Sequence, residues 1–158
     1  MPALSPFQTE AVALCVRVAS VISLPRSFGE IYGLLLSTKA PLSLDEIMAR
    51  LQMSRGSAFE GLRSLRDLGA VKLVYIPGVR KDHFAAETSL RKLATSFLRD
   101  RVQPHLDNGL HHLDAIKDSI ETDSPDREFE LGRLTQIQSW HKFLKKVLPL
   151  VKALAGKF

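Results

Sequence analysis

Apolar residues recur at one-face helical spacing along most of this chain, and the runs stop where local sequence ends or starts a helix. Ser5-Pro6, with proline at a first helical position, opens a helix expected over 7–22. Ser23-Leu24-Pro25 breaks it and starts the next, over 25–37, with Phe28, Ile31, Tyr32 and Leu35 on one face. Lys39-Ala40-Pro41 reads as a loop. Ser43-Leu44-Asp45-Glu46 then has the capping-box form, in which serine and glutamate satisfy each other's free backbone donors. Leu44, Ile47, Met48 and Leu51 form the stripe of that helix. Ser54 offers a second N-cap, and Ala58, Leu62 and Leu65 carry a stripe to Gly69, placed as a C′ glycine. Val71–Ile76 reads as a strand, Pro77-Gly78 suits the centre of a type II turn, and a return strand follows.

Helix, turn, helix, hairpin is the order of a winged helix-turn-helix, an arrangement that presents a helix and a loop to duplex DNA. Long helical patterns follow. Residues 89–121 carry Leu90, Leu93, Ala94, Phe97, Leu98, Leu106, Leu110, Leu113, Ile116 and Ile120, with a bend expected at Pro104. After Thr122-Asp123-Ser124-Pro125, residues 126–155 carry Leu131, Leu134, Ile137, Phe143, Val147 and Leu150, with Pro149 expected to kink or shorten that helix. The fold class is therefore mainly α with a small β-hairpin wing, a winged helix-turn-helix plus long C-terminal dimerisation helices. The expected organisation is an N-terminal helix (1–22), a DNA-binding domain (23–88) and a helical dimerisation and effector region (89–158). Striped helices with little core to cover suit pairing with a second copy. The unusually apolar helix 7–22 fits the same interface, unless all three fold back on their own chain.

Composition changes this picture little, but charge placement changes it. The chain has 22 Lys+Arg against 17 Asp+Glu over 158 residues, a modest excess. Between 50 and 81, however, Arg50, Arg55, Arg63, Arg66, Lys72, Arg80 and Lys81 face only Glu60 and Asp67. Phosphate-binding surfaces need concentrated positive charge of this kind. Residues 11–24, the longest apolar run, are interrupted by Arg17 and are too short to span a bilayer. No basic segment precedes them, as a signal peptide would require. A single cysteine, Cys15, excludes an intrachain disulfide and fits a reducing cytosol, so the chain reads as cytoplasmic.

On the second capped helix, the side opposite Leu62 and Leu65 holds Gly56, Ser57, Glu60, Arg63, Ser64 and Asp67. The start of a recognition helix approaches base edges, which favours Ser54, Arg55, Ser57, Glu60 and Arg63 as DNA contacts. Gly56 lets the backbone approach phosphate. Ser54 reads equally as a cap alone, and Glu60 with Arg63 as an i,i+3 ion pair. Arg80 at the wing tip suits a narrow minor groove, and Lys81 suits a phosphate. Arg26 opposes the dipole of its own helix, which hints at an external acidic partner or at Glu30. Five histidines (His83, His105, His111, His112, His141) supply no third or fourth metal ligand at helical spacing. Neither a Gly-rich phosphate loop nor paired carboxylates stand out, so no enzyme activity, cofactor or metal is expected.

Leu24-Pro25-Arg26-Ser27-Phe28-Gly29-Glu30-Ile31-Tyr32-Gly33-Leu34-Leu35 and Pro41-Leu42-Ser43-Leu44-Asp45-Glu46-Ile47 resemble the GbsR-type branch of the MarR-like transcriptional regulators. So do Ser54-Arg55-Gly56-Ser57, Gly61-Leu62-Arg63, Leu68-Gly69-Ala70-Val71 and Gly78-Val79-Arg80-Lys81-Asp82-His83-Phe84. The resemblance runs from about residue 23 to 101. It implies a homodimeric winged-helix repressor and, as in the best-known members, a response to choline or glycine betaine. An effector is expected to act between the DNA-reading unit and the long helices, where Phe28, Tyr32, Phe97 and Trp140 are rings suited to a quaternary ammonium and also to plain core. Two other readings stay open. Cys15 is either a redox-sensing thiol beside Arg17 or a buried structural cysteine, and the winged unit is either a DNA reader or a protein-interaction module.

Overall fold

The computed structural model describes residues 4–155, so residues 1–3 of the expected N-terminal segment and 156–158 of the expected helical region lie outside the described residues. Helices α1 (Pro6–Val21), α2 (Arg26–Leu36), α3 (Leu44–Leu51) and α4 (Arg55–Asp67) come first, with a two-residue strand β1 (Leu42–Ser43) between α2 and α3. Strands β2 (Val71–Val74) and β3 (His83–Ala86) follow, then α5 (Leu90–Phe97), α6 (Gln103–Ser119) and α7 (Arg127–Ala155). The chain is mainly α with one small antiparallel sheet of order β1-β3-β2, the architecture of a winged helix-turn-helix followed by long helices. Two compact units result, the first ending at Leu93 and the second beginning at Ala94.

Local signals set the first unit. The Ser43 hydroxyl caps the Glu46 N–H at 3.4 Å while the Glu46 carboxylate accepts from the Ser43 N–H at 2.8 Å; such caps contribute about 0.5–2 kcal/mol. The Ser54 hydroxyl accepts from the Ser57 N–H at 3.2 Å. Between them, Gln52 takes the left-handed φ of +52° that turns α3 into α4. Gly69, at φ +71°, ends α4 as expected. Val79 N–H donates to the Ile76 carbonyl at 3.1 Å around Gly78 at φ +80°, the turn that Pro77-Gly78 predicted. The strand expected over 71–76 stops at Val74, and Val74 pairs with His83, so the wing is an eight-residue loop rather than a tight hairpin.

Ile31, Leu34, Leu35, Leu42, Ile47, Leu62, Leu65, Val71 and Phe84 form one buried cluster drawn from α2, β1, α3, α4, β2 and β3. Helix α1 lies along α2, and two glycines make that approach possible. A Cβ on Gly29 would meet the Val16 Cα at 2.5 Å, and one on Gly33 would meet the Val12 Cα at 2.7 Å. One face of α1 is thus committed to its own chain. The other, with Phe7, Leu14, Val18 and Val21 each more than half exposed, is not.

In the second unit α6 and α7 pair antiparallel. Asp107 meets Lys145 at 3.5 Å, Gln103 bonds Lys152, and the Leu106 carbonyl lies 2.6 Å from His141 Nε2. Next to Pro104, where a bend is expected, the chain forms a π-helical turn over Leu98–Val102, in which Gln103 N–H reaches back to Leu98. The widened turn removes the clash between a proline ring and the carbonyl four residues earlier. Helix α7 runs through Pro149 to Ala155 and is not shortened. Among the described residues, no helix is long and apolar enough to cross a membrane.

Candidate nucleic-acid interface

Helix α4 offers two useful faces because its buried side is narrow. Ala58, Gly61, Leu62 and Leu65 point inward. Gly56, Ser57, Glu60 and Arg63 lie exposed on the outward side, as do Ser54 and Arg55 at the start of the helix. A Cβ built on Gly56 meets nothing within 4 Å, so its small size serves no internal packing. Ser54 is confirmed as a cap; its hydroxyl also lies 3.0 Å from that of Ser57.

A second face is formed by Arg55, Phe59, Arg63 and Arg66, spaced 4, 4 and 3 along α4. With Ser43, Leu44, Asp45, Leu62, Lys81, Asp82 and Phe84 these residues line a cleft of about 600 Å³ between α4, the start of α3 and the base of the wing. Four cations face two carboxylates there. From the sequence, Arg66 counts only within the general basic patch and Phe59 is not singled out. Counting from the apolar stripe selects the side directly opposite the core, whereas the wing covers the flank.

The ion pairs sort the basic patch. Lys81 donates to Asp45 at 2.6 Å, a contact between wing and α3 that holds the Asp45 carboxyl below its ordinary value and the Lys81 ammonium above its own. Its expected phosphate contact would therefore exchange one anion for another. Lys72, counted in the same patch, is tied to Glu87 at 2.5 Å and is not free for DNA. Glu60 and Arg63 sit 3.9 Å apart with both side chains about two-thirds exposed, a loose pair that contributes little. Arg55, Arg66 and Arg80 make no ion pair among the described residues. Arg26 is paired with Glu30 at 2.7 Å, which answers its unfavourable place at a helix start without an external partner.

Glu87, unremarked in the sequence, is buried at the end of the wing. Its carboxylate accepts from Lys72 and from the Ser89 N–H, its carbonyl accepts from the Tyr32 hydroxyl at 2.8 Å, and its N–H donates to Ala70. The Lys72 bond, then the Ser89 bond, holds its carboxyl below the ordinary value.

The four aromatic residues expected around an effector divide. Phe28 and Tyr32 pack against the buried cluster of the first unit, while Phe97 is 38% and Trp140 58% exposed. Cys15 lies against Gly33 on the α2 side of α1, and burial raises its thiol above the ordinary value, opposite to what a reactive thiolate needs. Among the described residues, no three metal-ligating side chains gather.

Over 72 residues, 46% of this chain, the sequence is 39% identical to the HTH-type transcriptional repressor GbsR of Bacillus subtilis (strain 168). The resemblance read from the sequence is borne out over that stretch. The matched stretch takes in 39% of the repressor's own length. No family model matches the chain. The fold is similar to a crystal structure of a transcriptional regulator, with a TM-score of 0.76 and 20% identity, over 96% of this chain and 97% of that one. At that identity the likeness is one of fold.

Proposed function

We propose that the protein is a cytoplasmic, homodimeric, sequence-specific DNA-binding regulator of transcription, a repressor released by a small molecule. The observation that carries the DNA half is the cleft between α4 and the wing, where Arg55, Arg63, Arg66 and Lys81 converge beside an outward face of small and polar side chains. Concentrated cations supply the non-specific affinity, and the exposed start of α4 supplies the base reading. Arg80, exposed on the wing and in no ion pair among the described residues, suits the minor groove.

Dimerisation is supported by α7. Phe129, Arg133, Gln136, Trp140, Phe143, Val147, Leu150 and Leu154 follow a strict alternation of four and three, the seam spacing of paired helices. All but Val147 are exposed. Two recognition helices related by a two-fold axis read half-sites about one helical turn apart. Selection of bound duplexes from random DNA tests this reading. A roughly palindromic motif, bound less tightly as salt rises, is expected. Retention of no motif, or salt-insensitive binding, overturns it.

Support for the effector half comes from the resemblance, which implies choline or glycine betaine, and from the exposed rings of Phe97 and Trp140. A ligand releases DNA only through unequal affinity for the two arrangements. Titration with either compound should change Trp140 fluorescence and DNA affinity together; silence of both signals at roughly millimolar levels, where even a weak ligand of about 4 kcal/mol fills half the sites, removes the choline or glycine betaine assignment.

A further inference from the structure

The cleft beside α4 holds one group that electrostatics does not account for. Phe59 is 56% exposed and stands outside the buried cluster, although it lies on the same helix as Ala58 and Leu62. A single exposed apolar residue is ordinary on a protein surface. This one is set among Arg55, Arg63, Arg66 and Lys81, in a cleft whose other apolar lining is Leu44, Leu62 and Phe84. It occupies the second turn of a capped helix, the part that approaches base edges, and Gly56 one turn earlier leaves open space beside the backbone.

The geometry points to Phe59 as a specificity-determining residue that contacts the methyl group of a thymine in the major groove. This rests on the DNA-binding reading and deepens it. The cations fix the occupant of the cleft as a polyanion, and among base edges in the major groove the thymine methyl is the apolar one. Flanking arginines hold the backbone and purine edges, so that the ring meets a methyl instead of water. Replacing that thymine by deoxyuridine removes the methyl and leaves every hydrogen-bonding group in place.

The test replaces each thymine of the selected site by deoxyuridine and compares the wild-type full chain with Phe59→Ala. One symmetry-related pair of positions should cost the wild type about fourfold per methyl, the worth of one buried methyl group. The same replacement should leave Phe59→Ala indifferent. Because the ring is outside the core, Phe59→Ala should melt at the wild-type temperature. If both proteins lose the same factor at every position, the inference is overturned while the DNA-binding reading stands. Failure of the wild type to select any duplex overturns both.

Discussion

The two units of this chain use apolar residues in opposite ways. In the first, residues from α1 to β3 converge, and Ile31, Leu34 and Ile47 are fully out of water. In the second, Leu113 and Leu134 are the large apolar residues that reach comparable burial, while Phe129, Trp140, Phe143, Leu150 and Leu154 each stay more than half exposed. Burial of a large apolar side chain contributes about 1.5–3 kcal/mol, so the second unit leaves much of its available stabilisation unrealised within one chain. The first unit buries its large apolar residues within one chain; on our reading a second copy of the chain covers those left exposed in the second.

The sharpest way to break that contrast is to charge the exposed seam. Phe143→Asp combined with Leu150→Asp should convert the dimer to a monomer by light scattering, with the first unit still folded, because neither residue enters its core. An unchanged mass would mean that the seam is ordinary surface. A smaller effect is expected inside the first unit. Gly29→Ala puts a methyl group 2.5 Å from the Val16 backbone and should lower stability in urea by about 1–3 kcal/mol, the usual cost of overpacking. Equal stability would show that α1 is free to move off α2.

The smallest effect is one of pH. Glu87 has a depressed carboxyl, so it stabilises the folded first unit above its unfolded value and that contribution fades as pH falls through the folded one. Glu87→Gln should be less stable than wild type at neutral pH, and the difference should close below the ordinary carboxyl value of 4.5. A difference that persists unchanged into acid would mean that Lys72 and Ser89 do not set it.

What was legible in the sequence divides along similar lines. The Ser43–Glu46 box, the Ser54 cap, the Gly69 stop and the Pro77-Gly78 turn depend on neighbours in the chain, and each reads directly. The approach of α1 to α2 depends on Gly29 and Gly33 lying opposite Val16 and Val12, a fact of packing that no single segment contains. Strand β1 is two residues long and has no alternation to detect; it exists because Leu42 finds Phe84. The outward face of α4 follows from helical periodicity alone. Its wing-facing flank, with Phe59 and Arg66, follows only from where β3 and the wing return. Lys81 and Lys72 looked like free charge because their partners, Asp45 and Glu87, are 36 and 15 residues away in the chain.

The central claim is that the cleft between α4 and the wing meets the phosphate backbone, and the salt dependence of binding to the selected site tests it most directly. The logarithm of affinity should fall linearly with the logarithm of salt concentration. In Arg55→Ala and Arg66→Ala, which remove two arginines of that cleft, the slope should shrink by about 0.9 for each phosphate contact removed. A slope identical to wild type in both variants would contradict the account.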